Sequence, residues 1–214
     1  MSAQDADPDA FYRVRVPAQW NRTLAAQALA AEGDALAARL LDEMRRVEAT
    51  LEVVVETGGA PRRYHLNVRA GALSADPAPA RPPFLVLVHD LDSFATLERE
   101  SGDSVLSFLG TLAGQAGDMK LTPARLRNLR ELSGTARLRL TGGAPMELEA
   151  RFGAAAADAA PDAPRCTLEM ASEVFAALRR GELGAQQAFL GGQIVVEGDL
   201  QLAMQLALAA LAPD

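Results

Sequence analysis

Residues Cys166–Leu211 read CTLEMASEVFAALRRGELGAQQAFLGGQIVVEGDLQLAMQLALAAL, and this stretch decides the fold. It opens with a short strand, Cys166 to Met170. Ser172 and Glu173 start a helix that Arg179 and Arg180 close and Gly181 ends, the charge order a helix dipole favours. Gly184 to Leu190 is a second, shorter helix stopped by Gly191-Gly192. Ile194 and Val196 set a further strand on an apolar face. Asp199, after Gly198, caps a terminal helix whose only polar interior positions are Gln201 and Gln205. A helix apolar on most sides is expected to be buried on most sides.

Upstream lies a hairpin. Ala136, Leu138 and Leu140 alternate with Thr135, Arg137 and Arg139; past Gly142-Gly143, Met146, Leu148, Ala150 and Phe152 alternate with Glu147, Glu149 and Arg151. Period-two alternation predicts strands with one buried and one wet face. Arginine on one strand and glutamate on the other suits antiparallel pairing. The helix Pro123 to Leu132, with Thr122 as its cap, leads into the hairpin.

The chain also repeats itself. Thr57-Gly58-Gly59-Ala60-Pro61 returns as Thr141-Gly142-Gly143-Ala144-Pro145, an offset of 84. Phe94-Ala95-Thr96-Leu97 returns as Phe175-Ala176-Ala177-Leu178, Phe108-Leu109-Gly110 as Phe189-Leu190-Gly191, and Gly117-Asp118 as Gly198-Asp199, each at an offset of 81. The slip falls in two loops rich in Ala, Asp and Pro, Ala70 to Pro83 and Gly153 to Arg165, where length differences are tolerated. Four matches in order point to a tandem duplication. The first copy lacks an equivalent of the strand Ile194–Val196: its Thr111 to Gly117 is poor strand material.

The segment from Cys166-Thr-Leu-Glu-Met through Phe175-Ala-Ala-Leu, Gly181-Glu-Leu, Gln187-Ala-Phe-Leu, Gly191, Ile194-Val-Val, Gly198-Asp199 and Leu202-Ala-Met resembles the signature of the sterol-carrier-protein-2 (SCP2) family. About 45 residues match closely, and the likeness extends more weakly over the hairpin and the helix before it. Ala185 stands where that family often has proline, and Gln193 where it often has a basic residue. The resemblance implies an α+β fold: a curved, mostly antiparallel sheet with helices packed on one face, here as two tandem units. The expected boundaries are a disordered or extended terminus at 1–16, a diverged unit at 17–118 and an SCP2-like lipid-binding domain at 119–214. The resemblance also implies a non-catalytic protein that binds or transfers a hydrophobic ligand in an apolar tunnel: a sterol, fatty acyl chain, phospholipid or isoprenoid. The alternative is an SCP2-fold interaction scaffold without a lipid. On this reading Leu168, Met170, Phe175, Leu178, Leu183, Phe189, Leu190, Ile194, Val196, Met204 and Leu208 line the tunnel, and Gln187, beside Gln186, meets the ligand at the rim. No cofactor and no metal is expected.

Composition narrows the partners. Hydrophobic residues make up 49% and charged residues 23% of 214, which fits a globular protein and leaves no run of about 18 apolar residues for a membrane span. A formal net charge of -7 gives no pull toward phosphate backbones, so nucleic acid is excluded as a partner. Met1 to Ala10 is acidic and polar, unlike a secretory signal, so a cytoplasmic protein is expected. Transient membrane contact and a protein partner or homodimer through the apolar terminal helix remain open. Cys166, the one cysteine, excludes an internal disulfide and reads as a buried structural thiol. Of the two histidines, His65 alternates on a strand and reads as solvated. His89 precedes Asp90 and Asp92, one of which is expected to cap a helix rather than serve catalysis.

Overall fold

The structure, a computed structural model, describes residues 7–112, 119–157 and 163–210. A short helix α1 (Pro8–Ala10) and a π-helical turn (Phe11–Arg15) run into α2 (Val16–Ala31), and Asp34 caps α3 (Ala35–Arg45). Next come β1 (Ala49–Glu56), β2 (Arg62–Arg69), β3 (Ala72–Asp76), β4 (Leu85–Asp90), α4 (Leu91–Ser101) and α5 (Ser107–Leu112). The second half holds α6 (Pro123–Glu131), β5 (Gly134–Thr141), β6 (Met146–Phe152), α7 (Ala154–Ala157), β7 (Cys166–Ala171), α8 (Ser172–Arg179), α9 (Ala185–Leu190), β8 (Ile194–Gly198) and α10 (Leu200–Ala210).

The eight strands of the described residues form one sheet, in the order β3-β2-β1-β4-β6-β5-β7-β8. Its two halves follow the same path. β1 pairs antiparallel with β2 and parallel with β4; β5 pairs antiparallel with β6 and parallel with β7. Leu51 stands opposite Leu85 as Ala136 stands opposite Cys166. Val55 and Arg62 bracket the first Gly-Gly turn and Leu140 and Met146 the second, so the first turn is one residue longer. The halves differ at one edge. β7 receives β8, whereas the matching edge of β4 receives β6, the hairpin strand of the second half. Thr111 and Leu112 close α5, and the rest of the stretch read as poor strand material, together with Gly117-Asp118, lies outside the described residues.

The core occupies one face of the sheet and runs through the boundary between the halves without a break, so the two share one interior. The other face carries the predicted charge ladder. Arg137 meets Glu149 at 2.7 Å, and Arg139 meets Glu147 at 2.7 Å and Glu169 at 3.2 Å. Pairs of this kind at a solvent-facing sheet surface contribute about 1 kcal/mol each, so the ladder sets register more than stability.

Three expectations need correction. The amino terminus is not extended from residue 7 onward: Phe11, Tyr12 and Val16 are buried in the core. A π-turn is wider than an α-turn, which lets the adjacent Phe11 and Tyr12 face inward together. The loop Ala70 to Pro83 contains β3, an edge strand too short and too weakly alternating to stand out. Helices do not lie on one face only: Ala156 of α7 packs on Val54, Val86 and Val88, on the face opposite the main core.

Candidate functional site

α9 and α10 stand as two walls over β7 and β8. Ala188 anchors α9 in the core, which leaves Gln186 and Phe189 facing α10. Leu202, Ala203, Leu206 and Ala209 seat α10 against α5, α6 and β7. The helix has a second apolar stripe, Leu200, Met204 and Leu208 at four-residue spacing, which is exposed. The expectation of a helix buried on most sides is therefore corrected. One stripe meets the core and the other faces outward.

Between the walls lies a cleft of about 460 Å³, open to solvent rather than closed into a tunnel. Leu168, Ile194 and Val196 form its floor. Gly184, Ala185, Gln186 and Phe189 form one wall, and Leu200, Ala203, Met204 and Ala207 the other. Leu112 reaches in from the first half. No Asp, Glu, Lys, Arg or His is among these lining residues. The arrangement can exclude water from an apolar chain and offers Gln186 as its one side-chain amide.

Of the residues read from sequence, Leu168, Phe189, Ile194, Val196 and Met204 come together here. Met170, Phe175 and Leu178 are buried in the core instead, and Leu183 packs against it half-buried. Gln187 is exposed and is not in the lining, Gln186 taking the place expected of it. Leu190 and Leu208 are exposed outside the cleft. Leu200 and Ala207 were legible as neighbours of Met204 at helical spacing, and Ala203 stands at that spacing from both of them. Leu112 carried no signal, because it belongs to the other half.

The Gly198-Asp199 step fixes the far wall. Gly198 has φ +84°, and a Cβ there would lie 2.3 Å from the Arg165 carbonyl oxygen, so glycine is required. The Asp199 carboxylate accepts from the Leu202 N–H at 3.0 Å, as a cap should. That hydrogen bond, with the paired Arg165, holds the carboxyl below its ordinary pKa. Ser172 does not cap α8. Its hydroxyl donates to the Thr141 carbonyl at 3.0 Å and accepts from the Ala144 N–H at 3.3 Å, tying the hairpin turn to the helix. Cys166 is buried, and burial pushes its thiol up to about 11.

The histidines lie away from the cleft. His65 is half-buried beside Glu52, not fully solvated. His89 is buried, and its Nε2 accepts from the Tyr12 hydroxyl at 2.7 Å while Nδ1–H donates to the Asp90 carbonyl at 2.8 Å. Burial lowers the pKa of His89 and raises that of Tyr12. Asp90 caps α4 through the Ser93 N–H. Among the described residues no three His, Cys, Asp or Glu side chains are grouped to hold a metal ion.

Residues 115–210, which span both cleft walls, match the SCP-2 sterol transfer family. This part of the chain is an SCP2-like domain. Two solved structures are similar. Sterol Carrier Protein 2 Like 2 from Aedes aegypti is 17% identical, with 53% of this chain and 95% of that chain covered and a TM-score of 0.34. A UbiJ-SCP2 ubiquinone synthesis protein is 21% identical, covers 54% of this chain and 92% of its own, and also has a TM-score of 0.34. No curated protein matches the sequence. Within the described residues of the SCP2-like domain and the half before it, no helix is long and apolar enough to cross a membrane.

Proposed function

We propose that the cleft between α9 and α10 binds an elongated hydrophobic ligand and that the chain carries it without catalysis. The candidates are a sterol, fatty acyl chain, phospholipid or isoprenoid. The observation that supports this reading is the size and uncharged lining of the cleft. Buried methylenes contribute ~0.8 kcal/mol each, and an open cleft covers about half of each one, so a 16-carbon chain gains roughly 6 kcal/mol. That gross figure alone corresponds to a Kd of about 40 μM, and association costs weaken it toward the millimolar range. With no cation in the lining, a fatty acid and the fatty alcohol of equal length bind alike.

The two halves are read as duplicated units of which only the second keeps a usable pocket. The first-half counterparts of Leu168, Ala185, Gln186 and Phe189 are Leu87, Ser104, Val105 and Phe108. These surround a void of about 20 Å³, closed by Tyr12, Met146, Leu148 and Phe175. That is room for about one water molecule.

Titration with a fluorescent fatty acid tests the proposal. The parent chain is expected to show saturable binding, weakened about tenfold or more by Ala207→Trp, which fills the cleft from a position outside the core. No saturable binding favours the alternative, an SCP2-fold scaffold that holds a partner and no lipid, and equal binding by both proteins would place the ligand outside this cleft.

A further inference from the structure

The tripeptide Phe-Leu-Gly has two fates in this chain. In α5, Phe108 and Leu109 are 7% and 0% exposed. Phe108 shares a small void with Met146 and Leu148 of β6 and Phe175 of α8, so α5 seats its apolar end on the second half. In α9, Phe189 and Leu190 are 44% and 75% exposed. α5 packs on α8 and α10 and borders β6 across the void, whereas α9 packs over β8, which is the last strand of the sheet. The apolar end of α9 therefore lies at a sheet edge where no further strand follows.

The two edges of the sheet are treated differently. On β3 the Asn21 side chain takes up both backbone groups of Leu73, accepting at 2.9 Å and donating at 3.0 Å, and Trp20 donates to the Gly71 carbonyl at 2.8 Å. Helix α2 thus closes that edge. Along β8, Ile194-Val195-Val196 has no proline, lysine or bulge, and among the described residues nothing pairs with its outer side. An open edge beside an exposed apolar helix end is a template for strand addition.

We propose that the β8 edge and the end of α9 are the docking surface for a second copy of this chain, with β8 paired antiparallel across a two-fold axis. Charge decides the occupant. Residues 184–210 contain no Lys or Arg, so α9, β8 and α10 contribute none of the cations that draw a helix to an anionic membrane, and the nearby Arg139 and Arg165 are paired with Glu169 and Asp199. Its rim is glutamine, at Gln186, Gln187, Gln193 and Gln201, and an amide both donates and accepts, so it pairs with its own kind. A two-fold axis makes identical strands antiparallel, and directly opposed residues must share a face. Centring on Val195 meets that condition. Ile194 then faces the partner's Val196 on the apolar side and Glu197 faces the partner's Gln193, so no carboxylate opposes another.

Sedimentation or light scattering of the full chain across a dilution series tests this. At high concentration the mass is expected near 45 kDa, twice the 22.6 kDa of one chain, and it falls to 22.6 kDa on dilution. Leu190→Glu and Val195→Lys are at exposed positions and are expected to stay at 22.6 kDa with unchanged circular dichroism. Mixing Val195→Lys with Val195→Glu restores the heavier species, because the axis sets the two charges face to face. Leu36→Glu, exposed on α3, associates like the parent chain. The proposal is overturned by a single-chain mass at every concentration, by association that survives both Leu190→Glu and Val195→Lys, or by its loss in Leu36→Glu.

Discussion

Removing one hydroxyl, Tyr12→Phe, tests whether the amino-terminal segment is part of the fold. The Tyr12 O–H donates to His89 Nε2 at 2.7 Å, with both residues buried. The other ring nitrogen faces the Asp90 carbonyl at 2.8 Å, which fixes the proton on Nδ1 and leaves Nε2 an acceptor that only a donor can satisfy. Deleting the hydroxyl orphans that acceptor, which costs about 1–3 kcal/mol. The pH dependence has a definite sign. Burial lowers the pKa of His89 in the folded chain, so below the ordinary value of about 6.5 the unfolded chain binds a proton that the folded one refuses. Stability from this pair is fully present above about pH 6.5 and is lost as the pH falls toward the lowered folded value, by at most ~1.4 kcal/mol per pH unit. In Tyr12→Phe the lone pair of Nε2 is free to take a proton, so the variant loses less in acid. Denaturant unfolding followed by circular dichroism at about pH 8 and about pH 5 is the assay. The expected result is a gap of about 1–3 kcal/mol at the higher pH that narrows at the lower. A gap under about 0.5 kcal/mol at the higher pH, or one that widens in acid, refutes the reasoning.

One further substitution and one reagent probe the second half. Gly198→Ala forces a side chain into a left-handed backbone and onto the Arg165 carbonyl, so a loss of at least ~2 kcal/mol and a lower melting temperature are expected; an unchanged melting temperature would show that the Gly-Asp step bends elsewhere. Cys166, with its thiol pushed up to about 11 and its side chain buried, should resist a thiol reagent at neutral pH and react once per chain in denaturant. Rapid reaction of the native protein would mean that β7 is open to solvent.

Much of the second half was legible because its signals are local. Alternation along Ala136–Leu140 and Met146–Phe152 names the two faces of a hairpin, and the observed pairing puts Leu138 opposite Leu148 and Arg137 opposite Glu149. Gly198-Asp199 names a turn and a cap within two residues. What stayed hidden depends on contacts far along the chain. Phe11 and Tyr12 pack on Tyr64, His89 and Phe94, and nothing in Phe-Tyr-Arg-Val-Arg announces those partners. The apolar pattern of α10 shows two stripes but not which one meets the core; α5 and α6 decide that. For the same reason Leu208 read as lining and is exposed, while Leu112 gave no sign and lines the cleft. That the first half lacks a counterpart of Ile194–Val196 was legible in its composition, but that β6 takes the free edge of β4 was not, because that pairing joins strands about 60 residues apart.

The central claim is that a hydrophobic ligand lies between α9 and α10, and photo-crosslinking tests it at the residue level. The parent chain is saturated with a fatty acid carrying a photoactivatable group on its chain, irradiated, digested and mapped by mass spectrometry. Adducts are expected on peptides holding Phe189 and the stretch from Ala203 to Ala207, competed away by unlabelled fatty acid or fatty alcohol. Competable adducts on Phe108 or Tyr12 instead, or labelling that no competitor reduces, would contradict the account.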